Sequence, residues 1–304
     1  MLNWRDVKNP NAGGSEIYLQ EIGSRWAKWG HEVSLLSSTF AGAQKEELID
    51  GINVHRMGNK FTIYPTTIRQ LLARQVSTNY DVIFESINTI PFFAPLFSKL
   101  PVVGEIYSIE NKSVLLHEMS LRMIPVTSIA YLLSSAIPSV YKRCEITTIS
   151  NSSKSTLVNE GFGPDKVHVA YPGLSDSWVE NVMSQHWNER PNNSIVYLGR
   201  LKRYKGVQDI LRAIPLIKRR IPNIKLRIIG KGDFEPILRQ IVSTTGIDQN
   251  VEFCGFVTEE EKARILNESS LYICTSRDEG GWTIAAVKPC QLEFQFWLQG
   301  LKST

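Results

Sequence analysis

The sequence predicts an α/β protein made of two doubly wound halves, and three observations carry that prediction. Short β-branched and aromatic runs alternate with helical patterns from Glu32 to Ala170. The same alternation restarts at Ser194 and continues to Cys274. Between the two, residues 176–193 are polar and irregular and read as a linker. The expected division is a first domain over 1–175, a linker over 176–193, a second domain over 194–287 and an aberrant tail over 288–304. Sheets of this kind are largely parallel, and their ligands sit beyond the carboxyl ends of the strands. Two such halves on one linker predict a cleft between domains.

The first half opens on Met1-Leu2-Asn3-Trp4, which reads as the tail of a strand whose beginning is absent. Gly13-Gly14 then precede Tyr18, Ile22, Trp26 and Trp29 at helical spacing, with Gly30 as the stop. A glycine pair ahead of a helix lets backbone come close to a ligand, although it also fits a plain tight turn. Strands are expected at 32–37, 51–57, 81–85, 101–107 and 146–150. Residues 150–160 carry N-cap residues into a short helix, and a strand at 167–170 is broken by Tyr171-Pro172-Gly173.

In the second half, the strand at 194–198 leads to a helix at 207–220 and the strand at 226–229 to a helix at 234–244. The strand at 251–254 leads to a helix at 259–267, and the strand at 271–274 to a loop over 275–281. Gly199-Arg200, Gly230-Lys231-Gly232, Gly255 and Glu279 therefore all fall at the carboxyl ends of strands. The stretch 194–206, S-I-V-Y-L-G-R-L-K-R-Y-K-G, is the most informative. Strand, basic loop and helix N-terminus in that order aim backbone N–H groups and two cations, Arg200 and Lys205, at one point, which suits a phosphate. In isolation the same pattern fits a βα turn whose cations face water.

Composition bounds the rest. The chain of 304 residues is 42% hydrophobic and 21% charged, which is globular and long enough for two domains. A net charge of +4 is too mild to argue for nucleic acid, but suits a phosphorylated ligand or a peripheral membrane face. Cys144, Cys254, Cys274 and Cys290 form no C-x-x-C pair and read as buried free thiols in a reducing, cytoplasmic compartment. The five histidines make no metal spacing, and the opening residues do not read as a secretory signal. The longest apolar segment, 124–140, is short for a membrane span and holds Pro125 and Pro138, so it reads as a buried helix. Its basic flanks, Arg122 and Lys142-Arg143, also suit a helix lying at the inner face of a membrane.

Taken together, Gly13-Gly14-Ser15-Glu16, Gly199-Arg200-Leu201 with Lys205-Gly206, Ile229-Gly230-Lys231-Gly232, Phe253-x-Gly255-x-Val257 and the stretch from Ser276 to Thr283 resemble the retaining glycosyltransferases of family 4. The likeness covers about residues 1–287, and its order and spacing are more specific than any single piece. It implies the GT-B fold, two Rossmann-like domains, and transfer of a sugar from a nucleoside-diphosphate sugar to a carbohydrate or lipid-linked acceptor, as in polysaccharide or glycolipid biosynthesis. Arg200 and Lys205 would hold the diphosphate and neutralise the charge that grows on it, without a metal; the chain has no D-x-D. Gly13 and Gly14 would approach the donor from the other domain. Gly199 and Gly230 would shape the donor site, and Phe253, Gly255 and Val257 would flank the base. Glu279, followed by Gly280, Gly281, Trp282 and Thr283, would accept hydrogen bonds from sugar hydroxyls; alone it also fits a helix N-terminal acid.

Two departures from the family pattern stand out. A histidine is usual after the strand at 101–106, where this chain has Tyr107-Ser108; His117 lies too far along to replace it. After Val287 the family continues E-A-x-x-x-G-x-P-V, whereas this chain continues Lys288-Pro289-Cys290 to Thr304. Codons permitted for residues 288–300, regrouped behind one added G, spell E-A-M-S-A-G-V-P-V-L-V-T-G. The expectation is that 288–304 is a frameshifted translation and that the chain is a fragment clipped at both ends. Two other functions fit the sequence: a non-catalytic fragment that only binds nucleotide sugars, and a sugar-nucleotide epimerase on the same fold.

Overall fold

The computed structural model describes residues 1–73, 79–88, 90–107, 133, 135–183, 193–276 and 295–298. It divides into two compact units, Met1–Pro172 and Gly173–Thr304.

In unit 1, helix α1 (Gly14–Lys28) leads to strands β1 (Val33–Ser37), β2 (Glu46–Ile49) and β3 (Ile52–Arg56). Helix α2 (Ile63–Leu72), β4 (Ile83–Ile87), the single turn α3 (Ala94–Phe97) and β5 (Val102–Ile106) follow. Then come α4 (Ile137–Tyr141), β6 (Glu145–Thr148), α5 (Asn151–Asn159) and β7 (Val167–Val169). The strands form two groups, β1-β3-β2 and β4-β5-β6-β7, parallel except for the β2–β3 hairpin. Leu2 joins them, bridging in parallel to Leu36 on one side and Glu85 on the other. Its N–H donates to the Phe84 carbonyl at 2.8 Å and its carbonyl accepts from Ser86 at 2.9 Å. Winding therefore runs outward in both directions from Leu2, and the topological switch point of unit 1 lies at the loop that follows it. One face of the sheet packs Ile63, Ile83, Ile87, Val102, Ile106, Tyr141, Ile146 and Leu157. The other packs Leu19, Val33, Leu35, Ile52, Val54 and Phe84.

Two sequence readings change here. The buried stripe of α1 is Glu16, Leu19, Gln20, Gly23 and Ser24, rather than the aromatic stripe, and Trp29 is 72% exposed. Gly23 sets that contact: a Cβ there would meet Met1 Cε at 2.6 Å and Ile52 Cδ1 at 2.8 Å. The hairpin strand β2 is additional; its E-E-L-I sequence turns Glu46 and Leu48 to solvent and buries Ile49. Of the apolar segment 124–140, only the start of α4 and residues 133, 135 and 136 lie within the described residues; Ile137 and Tyr141 are buried there.

Unit 2 begins with α6 (Asp176–Met183), which occupies the first half of the expected linker. The reason is Trp178, fully buried against Val196, Ile229, Ala263, Leu266 and Tyr272. An indole of that size stabilises by a few kcal/mol when removed from water, so the segment folds onto the second core although its neighbours are polar. The boundary accordingly moves from 175 to 172. Next come β8 (Ser194–Leu198), α7 (Val207–Lys218), β9 (Lys225–Ile229), α8 (Glu235–Thr245), β10 (Val251–Gly255), α9 (Glu259–Asn267), β11 (Leu271–Cys274) and β12 (Gln295–Leu298). The sheet is wholly parallel in the order β10-β9-β8-β11-β12, the Rossmann order, with its switch point between β8 and β11. Among the described residues no helix is long and apolar enough to cross a membrane, and Cys144, Cys254 and Cys274 are free but only half-buried.

Candidate active site

The strand ends of β8, β9 and β10 meet as a backbone shelf. Gly199 N–H donates to the Ile229 carbonyl at 3.0 Å and Gly230 N–H to the Gly255 carbonyl at 2.8 Å, so the ladder continues one step past the strands. Gly230 has φ of 135°, and a Cβ there would overlap the Gly199 carbonyl oxygen. No residue with a side chain fits that crossing. Lys231 runs beside it, its Cε 3.4 Å from where a Cβ of Gly255 would stand.

The basic loop leaves β8 at the switch point and is tied at both ends. Tyr197, buried on β8, donates its hydroxyl to the Arg200 carbonyl at 3.2 Å, and burial pushes this phenol's pKa far up. Thr275, just past β11, donates Oγ1 to the Lys205 carbonyl at 2.9 Å. Gly206, at φ 74°, lies so close to Thr275 that a Cβ would overlap its carbonyl oxygen. Between the ties, residues 203–205 form one 3-10 turn. Arg200 is exposed, and its Nη2 donates to the Tyr204 hydroxyl at 3.1 Å. Lys205 Nζ lies 5.1 Å from the centre of the same ring. Lys202 turns away to pair with Asp233 at 2.7 Å. The arrangement presents two cations, spaced by a phenol, beside a glycine shelf at a parallel-sheet switch point, which is chemically suited to a polyphosphate.

Phe253, Gly255 and Val257 do not act as one surface. Phe253 packs toward α8, with the Arg239 guanidinium 4.3 Å from its ring centre, while Val257 packs on the opposite face of the sheet with the Trp178 cluster. Strand alternation would keep the three on one face, but the register breaks between Phe253 and Gly255 and Gly255 turns at φ 68°, so only Gly255 stays at the shelf. Phe256, between the last two, is 83% exposed. Glu279, Gly280, Gly281, Trp282 and Thr283, and also His117, lie outside the described residues.

In unit 1, Gly13 and Gly14 open α1 at the switch-point loop. Gly13 N–H is already occupied: it donates to Glu16 Oε2 at 2.6 Å, the half of a capping box that a glycine N-cap can make. Glu16, 2% exposed, also takes the Ser15 hydroxyl at 3.1 Å and Arg5 Nε at 3.2 Å. The preceding loop is pinned by Asp6, which receives both Nε (2.7 Å) and Nη2 (2.9 Å) of the fully buried Arg56. Arg56 also pairs with Glu47. The Arg56 guanidinium holds the Asp6 carboxyl below the usual carboxylate range against the opposing effect of burial. The expected approach of Gly13 to a donor thus rests on its missing side chain rather than on its N–H. Tyr107, in the place of the family histidine, stands edge-on to Tyr18 at 5.8 Å and donates to the Ser15 carbonyl at 3.5 Å. Beneath it Glu105 is 1% exposed; burial raises its pKa to about 7 against the opposing effect of Ser86 and Tyr107 beside it.

Tyr204, Thr275, Glu16 and Glu105 are the residues to which the sequence alone gave no role. A hydroxyl beside two cations in one loop was the available signal for Tyr204, and a glutamate three residues past the helix-opening glycine for Glu16; Thr275 and Glu105 act through partners distant in the chain.

Parallel Rossmann-like sheets in both units are those of the GT-B architecture. The fold matches that of sucrose-phosphate synthase from Thermosynechococcus elongatus with a TM-score of 0.73, 14% identity, and 97% of this chain and 79% of that chain covered. Residues 12–178 match the model of the family described as Glycosyltransferase Family 4, and residues 180–288 that described as Glycosyl transferases group 1. The chain belongs to this group 1, family 4 class of glycosyltransferases. It is 25% identical over 298 residues to an uncharacterized glycosyltransferase of Methanocaldococcus jannaschii, covering 87% of this chain and 71% of that one. It is 23% identical over 266 residues to the GDP-mannose-dependent alpha-(1-6)-phosphatidylinositol monomannoside mannosyltransferase of Mycolicibacterium smegmatis, covering 83% and 66%.

Proposed function

We propose that this glycosyltransferase moves a sugar from a nucleoside-diphosphate donor to a carbohydrate or lipid-linked acceptor, retaining the anomeric configuration. The observation that carries the reading is the pair Arg200 and Lys205, held together through Tyr204 at the switch point of unit 2. There they bind the diphosphate and offset the negative charge that grows on it as the glycosidic bond breaks. The glycine shelf lets phosphate approach backbone, and the Gly255 turn flanks the base. No carboxylate is assigned as nucleophile; the departing phosphate assists removal of the acceptor's proton on the same face. Unit 1 takes the acceptor, and its Gly13 and Gly14 approach the donor. No metal is required, because the two cations supply the charge. The GDP-mannose dependence and the phosphatidylinositol monomannoside in the name of the mycobacterial relative support a nucleotide-sugar donor and a lipid-linked acceptor, which would place the reaction at the cytoplasmic face of a membrane.

Replacing Arg200 and Lys205 together by alanine is expected to weaken UDP or GDP binding about a hundredfold in calorimetry, at about 1.5 kcal/mol for each charge-assisted contact. Unchanged affinity would sink the assignment. Proton NMR of the product's anomeric centre tests retention. Incubating donor without acceptor tests the epimerase alternative, which requires turnover there. The non-catalytic reading is favoured by the sequence after Val287, which lacks the family's second glutamate; nucleotide binding without transfer to any acceptor would establish it.

A further inference from the structure

We infer that Tyr204 is a positioning residue that holds Arg200 and Lys205 at a spacing matched to a diphosphate. The inference rests on the pyrophosphate reading of this loop and goes beyond it by assigning a role to a residue between the two cations. The loop is anchored through its backbone at Arg200 by Tyr197 and at Lys205 by Thr275. Those anchors fix main chain only, and both charged groups sit at the ends of flexible stems. Tyr204 is the one group in the described loop that engages both: its hydroxyl accepts from Arg200 Nη2 at 3.1 Å, and its ring face lies 5.1 Å from Lys205 Nζ. The two contacts use different parts of the side chain, oxygen for the guanidinium and π-face for the ammonium, so they are made simultaneously.

The physical consequence is preorganisation. Two like charges side by side repel and, unrestrained, spread apart and sample many rotamers; a ligand must then collect them. Immobilising a rotamer-rich side chain on binding costs conformational entropy. A phenol that holds both before the ligand arrives removes much of that cost for a group bridging the two cations. It removes little for a ligand that touches only one. Tyr204 is therefore expected to favour diphosphates over monophosphates, and its neutral hydroxyl leaves both positive charges intact for the ligand.

The test uses the full chain and measures affinity for UDP, GDP and the corresponding monophosphates by calorimetry, at several salt concentrations. Tyr204→Phe keeps the ring and is expected to weaken diphosphate binding about threefold; Tyr204→Ala removes both contacts and is expected to weaken it about tenfold. Monophosphate affinity is expected to change less than twofold in each, and the salt dependence of diphosphate binding to stay that of the parent, because no charge is removed. Equal losses for mono- and diphosphates, or none, would overturn the role of Tyr204. A chain with Arg200 and Lys205 both replaced that still binds diphosphate like the parent would instead overturn the underlying reading, so the two failures are told apart. Thermal melts of Tyr204→Phe matching the parent exclude loss of fold, since the substitution removes one exposed oxygen.

Discussion

Glu105 sits on β5, opposite Ser86 of β4 in the sheet register, and is sealed under Tyr107 and Tyr18. Burial lifts its pKa from 4.5 to about 7, so the folded chain holds this proton more tightly than the unfolded chain does. Below pH 4.5 both states are protonated and the group is neutral to stability. Between pH 4.5 and about 7 the unfolded chain alone gives up its proton, and stability falls with rising pH by roughly 3 kcal/mol in all. Glu105→Gln is expected to flatten that slope and to raise the melting temperature at pH 8 while changing little at pH 4; a parent-like pH profile in the variant would show the group is not responsible. Burial raises the pKa of Glu85 as well, but here it is opposed by the hydrogen bonds its carboxyl accepts from the Tyr141 hydroxyl, Phe92 N–H and Ala94 N–H. Removing that acceptor by Glu85→Ala leaves three buried donors unanswered, and a loss of about 3 kcal/mol is expected in chemical denaturation.

At the scale of elements, the two switch-point loops are built on opposite terms. The basic loop of unit 2 is shaped by glycine crossings, where Gly230 packs on the Gly199 carbonyl and Gly206 on that of Thr275. Gly230→Ala cannot relax without parting β8 from β9, so it is expected to lower both stability and diphosphate affinity, measured together by melting and calorimetry. The loop of unit 1 is shaped by charge: Asp6 with Arg56, and Arg5 with Glu16. Asp6→Ala strands a buried guanidinium, and a loss of about 3–5 kcal/mol is expected, with Asp6→Asn intermediate. Much of this was legible beforehand. Glycine spacing and the strand-to-helix order located the basic loop, because such turns are local. The Asp6–Arg56 tie was not, since its partners are 50 residues apart.

For the whole molecule, each unit has its own hydrophobic cores on both faces of its sheet. A diphosphate bound at the β8 switch point should therefore protect unit 2. With UDP or GDP at a hundred times its dissociation constant, about 2.7 kcal/mol of added stability is expected. In hydrogen exchange of the full chain, slowed amides should lie at the ends of β8, β9 and β10; protection confined to unit 1 would contradict the site. The family match in unit 2 closes at residue 288, where the regrouped codons begin to spell the family's continuation. We carry the frameshift of 288–304 as a proposal, and resequencing of genomic DNA around codon 288 decides it, an additional base there being the expected result.

By itself the sequence determined the two-unit α/β plan, nearly every strand and helix of unit 2, and the phosphate-suited loop, because hydrophobic period, glycine and N-cap residues act over a few neighbours. Only the tertiary structure decided that Trp178 draws half the linker into the second core, that Glu16 occupies the Gly13 amide, that Phe253 turns from the shelf and that Leu2 joins both halves of the first sheet. Those outcomes depend on which distant surface a side chain or backbone edge meets, and that meeting is fixed by burial and strand pairing across the fold rather than by adjacent residues.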